Sequence, residues 1–243
     1  MCTVTYTPVK EGFYLASNRD EQLSRPAALE PRIYKGNTGA LLFPKDTGAG
    51  GTWFAAHEKG HVAVLLNGAW QKHTPMPHYL RSRGLVLLDL VDQQDPLRAF
   101  HAASLEGIEP FTLILAEEGR LHECRWDGVI RSNIPKDPAL PHIWSSVTLY
   151  TPDVICRREE WFYAWLKQHP RPSLDDVFRF HCFTVEGDPE NSILMDRVGK
   201  IRTVSITALG YISSSPIQVH YRDLTAGNTF LRTFLTPANP STV

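Results

Sequence analysis

Short alternating stretches of apolar and polar residues dominate the first third of the chain. Thr3 to Tyr6 and Phe13 to Ser17 read as two strands around the turn signal Lys10-Glu11-Gly12, so a hairpin is expected at the start. Polar residues from Asn18 to Arg25 are expected to leave the second strand. Ala40 to Phe43 and Trp53 to Ala56 form further strand patterns, separated by the loop Pro44 to Gly51, and His61 to Leu66 follows the turn Glu58-Lys59-Gly60. Behind Pro75 and Pro77, the spacing of Leu80, Leu87, Leu88 and Val91 predicts a helix over His78 to Val91. Phe111 to Glu117, Arg120 to Trp126 and Val129 to Asn133 predict a meander with turns at Glu118-Gly119 and Asp127-Gly128, and His142 to Val147 another strand. Pro152 opens an amphipathic helix through Ile155, Trp161, Phe162, Trp165 and Leu166, followed by a shorter helix from Leu174 to Arg179. Ser192 to Asp196 and Lys200 to Ile206 read as a late hairpin, Ser213-Ser214-Ser215 as a polar loop, and the tail from Thr236, with Pro237 and Pro240, as loose. No repeat or linker interrupts the pattern. One α/β domain over residues 1–243 is expected, with helices packed on antiparallel sheets.

Composition narrows the function classes. The chain is 42% hydrophobic and 21% charged, enough apolar residue for a core without metal or disulfide staples. A net charge of -1 gives no footprint for nucleic acid. The longest apolar run, Leu85 to Val91, is broken by Asp89, so no membrane span is expected. The start of the chain shows no basic stretch followed by an apolar segment. Four cysteines, Cys2, Cys124, Cys156 and Cys182, are widely spaced without a CxxC pair, which fits a reduced, cytoplasmic protein. The last three sit in apolar or aromatic contexts and are expected to be structural thiols. Ten scattered histidines form no Cys/His cluster, so neither a metal nor another cofactor is expected.

Cys2 is the residue most suggestive of chemistry. Loss of the initiator Met would leave a thiol and a free α-amine on one residue. That amine, with a pKa near ~7.7–8.0, could accept the thiol's proton at physiological pH. Cys2 could equally be a small buried hydrophobe at a strand start. A hairpin returning through Ser17 would bring Asn18-Arg19-Asp20-Glu21 beside it. A carboxylate there can hold the amine and a guanidinium can favour the thiolate, although a solvated turn would have the same composition.

These residues carry a resemblance. Met1-Cys2-Thr3-Val4, Ala16-Ser17-Asn18-Arg19-Asp20-Glu21, Arg25-Pro26-Ala27, and Asp46 with Gly50-Gly51-Thr52-Trp53 resemble the ordered signature of the NRDE family, also called the transport-and-Golgi-organisation-two family. The resemblance implies a relative of the N-terminal nucleophile hydrolases, with an αββα sandwich of antiparallel sheets flanked by helices. The cysteine branch that cleaves bile-salt and penicillin V amides also begins Met-Cys-Thr and carries Arg-Asn-x-Asp. Asn18 and Asp20 match its last positions, while Ser17 stands where its Arg would be. Arg19 could supply the charge, but its side chain would point to the other face of a continuing strand. Asn67, ending Gly60 to Leu66, is similar to the oxyanion-hole Asn of those amidases, though Asn67-Gly68 is also a turn dipeptide. Ser146 corresponds to a second Asn. The late Arg has no match near Glu190-Asn191-Ser192. Gly51 and Trp53 could border a substrate, or the glycines of this loop could simply permit tight turns.

Two functions follow. The first is a cysteine N-terminal nucleophile hydrolase acting on a linear, non-peptide amide, with Cys2, Asn18, Arg19, Asp20, Asn67 and Ser146 at the catalytic site. The second is a non-catalytic protein that handles haem or a lipid or acyl-coenzyme A ligand, as the resemblance allows. Either has a small-molecule ligand. If the first holds, Cys2, Asn18, Asp20 and Asn67 should converge on one concave site.

Overall fold

The computed structural model describes residues 3–117, 119–213 and 215–235. Met1, Cys2, Glu118, Ser214 and the tail from Thr236 lie outside it, with the expectations placed on them. In chain order the elements begin with β1 (Thr3–Val9), β2 (Gly12–Gln22), β3 (Leu29–Lys35), β4 (Ala40–Lys45), β5 (Phe54–His57) and β6 (Val62–Asn67). Then come α1 (Arg83–Val91), α2 (Pro96–Ala102), β7 (Phe111–Glu117), β8 (Arg120–Trp126), β9 (Arg131–Lys136) and β10 (His142–Ser145). The series closes with α3 (Pro152–Gln168), α4 (Leu174–Phe180), β11 (Asp196–Arg197), β12 (Ile201–Ile212), β13 (Ile217–Asp223) and β14 (Thr229–Phe234).

Among the described residues the strands form two antiparallel sheets. One has the order β10-β1-β2-β12-β13-β14, with β11 paired to β12; the other runs β3 to β9 in sequence order. Val4, Tyr6, Phe13 and Leu15, which alternation places on one face of the first sheet, join one buried cluster with Phe54, Val64, Leu66 and Leu113 from the two faces of the second. That cluster continues to Leu87, Leu90 and Phe100 of α1 and α2, which cover the second sheet. On the far side of the first sheet, Leu174 and Val177 of α4 meet Ala16 and Ala208, and Phe162 of α3 meets Ile143, Phe180 and Ile193. The layers are therefore helix, sheet, sheet, helix, the αββα arrangement of an N-terminal nucleophile hydrolase.

Several elements differ from the sequence reading. β2 does not end at Ser17 but carries Asn18 to Gln22 within the strand, because β12 pairs with it along this whole length. Helix α1 starts at Arg83 rather than His78. Ser82 caps it by accepting from the Gly84 N–H, and Leu80 is held outside by its backbone bond to Gly107 O, with its side chain exposed. The first arm of the late hairpin shrinks to Asp196 and Arg197, while its second arm extends to Ile212. The strands β3, β13 and β14 and helix α2 are additions to the elements read from the sequence. Proline within β3 demotes a strand signal, and α2 is a short helix opened by Asp95, which accepts from the Arg98 N–H.

A polar network ties the helical layer to the first sheet. The Thr5 Oγ1 lies 2.8 Å from His181 Nε2, and His181 Nδ1 meets Asn18 Oδ1. Asn18 Nδ2 donates to His181 O at 3.1 Å and Ile193 O at 2.6 Å. Burial, with the charge of Arg158 as a smaller contribution, pushes the His181 pKa down to about 3. The ring is therefore neutral, which fits an Nδ1–H donating to Asn18 while Nε2 accepts from Thr5.

An unfolded histidine titrates near ~6.5, so below that pH the unfolded chain binds a proton that folded His181 refuses. Its contribution is complete above about pH 6.5 and is lost on acidification toward about 3, by up to ~1.4 kcal/mol per pH unit. His181→Gln should therefore flatten the fall of urea-unfolding stability between about pH 6 and pH 4. Parallel wild-type and variant curves would refute the assignment.

Candidate active site

Strand alternation sorts the polar residues of β2 onto opposite faces. Asn18 and Asp20 face the helical layer. Asp20 Oδ2 accepts from the Tyr150 hydroxyl at 2.9 Å and Oδ1 from Thr203 Oγ1 at 2.6 Å. Both residues are buried, and the Asn18 side chain is occupied by the carbonyls and imidazole that anchor the helices. Arg19 points the other way. Its guanidinium donates to Asp46 Oδ2 at 2.6 Å and lies 4.5 Å over the ring of Trp53. Arg25 donates to the same carboxylate oxygen at 2.8 Å. Burial pushes the Asp46 carboxyl up, but the Arg25 hydrogen bond, the Ala49 N–H and the two guanidinium charges outweigh it and hold the pKa below its ordinary value.

Thr3 heads β1 and pairs with Asn18 on one side and Ser145 on the other. Cys2, which precedes Thr3 in the sequence, lies outside the described residues. Ser146, next to Ser145, donates through Oγ to Asn67 O at 2.8 Å. This bond joins the end of β6 in one sheet to the end of β10 in the other, beside the start of β1. The Asn67 side-chain amide has no hydrogen-bond partner among the described residues and borders two small clefts of about 100 and 110 Å³. Gly68 adopts a φ of +80°, in keeping with the turn reading of Asn67-Gly68.

The first of these clefts collects residues distant in sequence: Arg19, Asp46, Gly51, Trp53, Asn67 and Arg83. Gly51 is needed for packing, since a Cβ there would come within 2.5 Å of the Gly84 backbone at the start of α1. Trp53 is almost wholly buried, and its Nε1–H has no partner among the described residues. The structure thus brings Arg19, Gly51, Trp53 and Asn67 together, but turns the side chains of Asn18 and Asp20 to the opposite face of β2. Of the expected group Cys2, Asn18, Asp20 and Asn67, Cys2 lies outside the described residues, and the side chains of Asn18 and Asp20 face away from the cleft that Asn67 borders.

Arg158 escaped the sequence reading. It has no exposed surface, stacks its guanidinium carbon 3.6 Å over the Tyr150 ring, and donates to Thr3 Oγ1, Asn191 O and Ser192 O. The Asn191-Ser192 segment, where the sequence offered no arginine, supplies carbonyls to this one from α3. Nothing in Arg157-Arg158 distinguishes it from a solvated helix face. Tyr150 and Thr203, the partners of Asp20, were equally silent.

Cys124, Cys156 and Cys182 are free thiols. Burial is the main reason the Cys124 pKa is pushed up to about 12, and burial also raises that of Cys182. Cys156 departs from the expected buried setting, because it lies on the exposed face of α3.

Solved structures of similar fold include the Caenorhabditis elegans ortholog of N-acylethanolamine-hydrolyzing acid amidase, at 10% identity and a TM-score of 0.59, covering 86% of this chain and 92% of that one. A variant of conjugated bile acid hydrolase from Clostridium perfringens matches at 10% identity and 0.56, covering 98% of both chains. A second variant of that hydrolase matches at 12% and 0.57, covering 100% of this chain and 99% of that one. These likenesses agree with the layered architecture. Comparison with curated protein sequences found no match. The family described as Transport and Golgi organisation 2 matches residues 1–182, from the N-terminal signature through the whole second sheet to just past the end of α4, and this chain belongs to it.

Proposed function

We propose that the chain is a cysteine N-terminal nucleophile hydrolase that cleaves a linear, non-peptide amide. The observation that carries this reading is the meeting of the start of β1 with the Asn67–Ser146 junction and the strand bearing Asp20. One fold neighbour is described as the ortholog of an acid amidase and two as variants of a hydrolase, which supports the same reaction class.

In this reading Met1 is removed. The Cys2 α-amine takes the thiol proton, and sulfur attacks the amide carbonyl carbon. The Asn67 side-chain N–H stabilises the oxygen that becomes negative, and Ser146 acts as a positioning residue by fixing the Asn67 backbone. The tetrahedral intermediate collapses to a thioester as the amine returns the proton to the leaving nitrogen. Water then attacks the thioester with the same amine as base, releasing the acid and the thiol. Asp20 orients the amine by a charge-assisted hydrogen bond, braced by Tyr150 and Thr203. Asn18 holds the strand in place through the His181 network. Arg19, Gly51 and Trp53 line the substrate cleft.

A second reading, ligand handling without catalysis, draws on Ser17 and Arg19. Ser17 is fully buried where the amidases carry arginine, and the Arg19 charge is committed to Asp46. A haem, lipid or acyl-coenzyme A ligand belongs to this reading.

Two measurements separate them. Intact mass should show loss of Met1, and limiting iodoacetamide near neutral pH should label Cys2 first in a Cys156→Ser background, since the raised pKa values keep Cys124 and Cys182 as thiols. Retained Met1 or an unlabelled Cys2 would leave the handling protein ahead. Against linear N-acyl amides, Asn67→Ala should lower kcat by about 10²–10³ with a small change in KM. Asp20→Asn should also lower kcat and shift the pH–rate profile. A loss confined to KM would remove Asn67 from the oxyanion role.

A further inference from the structure

A larger cleft of about 270 Å³ adjoins the first, sharing Arg19, Glu21 and Arg25 with it and adding Arg202, Ser205 and Tyr221. Its charges balance in number, three arginines against Glu21, Asp46 and Asp223, but they are unevenly paired. Arg19 and Arg25 are both within ion-pair distance of Glu21 and Asp46, two cations against two anions. Arg202 stands directly opposite Glu21 across the β2–β12 pair, yet makes no ion pair among the described residues. Its Nε is buried without a hydrogen-bond partner. Asp223, also on the rim, is occupied by the backbone N–H groups of Thr225 and Ala226.

A second unsatisfied group lines the same cleft. Ser205 is 2% exposed, and its Oγ approaches the Tyr221 hydroxyl without reaching hydrogen-bond geometry. Register explains why these groups share a face. Thr203 pairs with Asp20 and Ser205 with Arg19, so Val204 is an extra residue in β12. The bulge lets Thr203 serve Asp20 on the helical side while Arg202 and Ser205 both turn to the Arg19 side. A buried guanidinium nitrogen and a buried hydroxyl without partners are costly in a protein interior unless a ligand completes them.

We propose that this cleft binds a small anionic substituent, a carboxylate or phosphate, at the end of the ligand away from Asn67, with Arg202 and Ser205 as its donors. The site rests on the observed cleft and not on the nucleophile assignment. Ligands would therefore carry charge at one end, and neutral amides of the same length would bind more weakly.

Calorimetry on the Cys2→Ala chain, in which no turnover competes with binding, can use three probes sharing one acyl group: N-octanoylglycine, N-octanoylphosphoethanolamine and N-octanoylethanolamine. At least one anionic probe should bind about tenfold more tightly than the neutral one, the scale of one charge-assisted hydrogen bond. The tighter of the two identifies carboxylate or phosphate as the preferred group. Arg202→Met should erase the difference, and Arg202→Lys should retain part of it. Equal binding of all three, binding of none, or a preference that survives Arg202→Met would overturn the proposal. Cys2 labelling and amide turnover are read separately, so failure of the nucleophile leaves this outcome distinguishable.

Discussion

β2 runs straight through Asn18, Arg19, Asp20 and Glu21, held between β1 and β12, and a strand cannot turn two consecutive side chains to one side. That constraint divides the molecule. On the helical side, Asn18 and Asp20 enter a buried network with His181, Tyr150 and Thr203. On the sheet side, Arg19 and Glu21 meet Arg25, Asp46 and Trp53. The first environment fixes helices to sheet beside Thr3, and the second forms the wall of the clefts between the sheets' polar ends. One four-residue segment thereby serves both.

The burial of Arg158 belongs to the same arrangement. An uncompensated guanidinium in a protein interior is costly, and here two carbonyls, a hydroxyl and an aromatic face receive it. Those contacts connect α3, the Asn191-Ser192 segment and Thr3, so the end of β1 is braced from the helical layer. Stability and site geometry are hard to separate at such a position, since the bonds that satisfy the charge also locate the strand.

Much of the architecture was legible because local patterns agreed with tertiary burial. The opening hairpin and the first two strands of the meander bury apolar positions such as Val4, Leu15, Leu113 and Leu121, and the helix after Pro152 buries Phe162 with Trp161, Trp165 and Leu166 half-buried around it. The polar end of β2 was misread as a departing loop because its buried polar groups find partners more than a hundred residues away. β13 did carry an alternating signal, with Ile217, Val219 and Tyr221 buried, whereas α2 is too short for a dependable helical period. For the candidate site, Arg19, Gly51, Trp53 and Asn67 could be named from motif and resemblance. Arg158, Tyr150, Thr203 and Arg202 could not, because their roles depend on burial and register.

The extra residue at Val204 also bears on how such a strand can change length. An insertion in a regular strand reverses every side chain beyond it, exchanging core for solvent. At a bulge the added residue is absorbed locally, and the flanking pairs Thr203 with Asp20 and Ser205 with Arg19 keep their faces. Loss of Val204 would restore a plain ladder without inverting either neighbour. This makes position 204 a natural point for insertions and deletions within the family, able to alter the curvature of the cleft wall while the polar pairings of β2 stay in step.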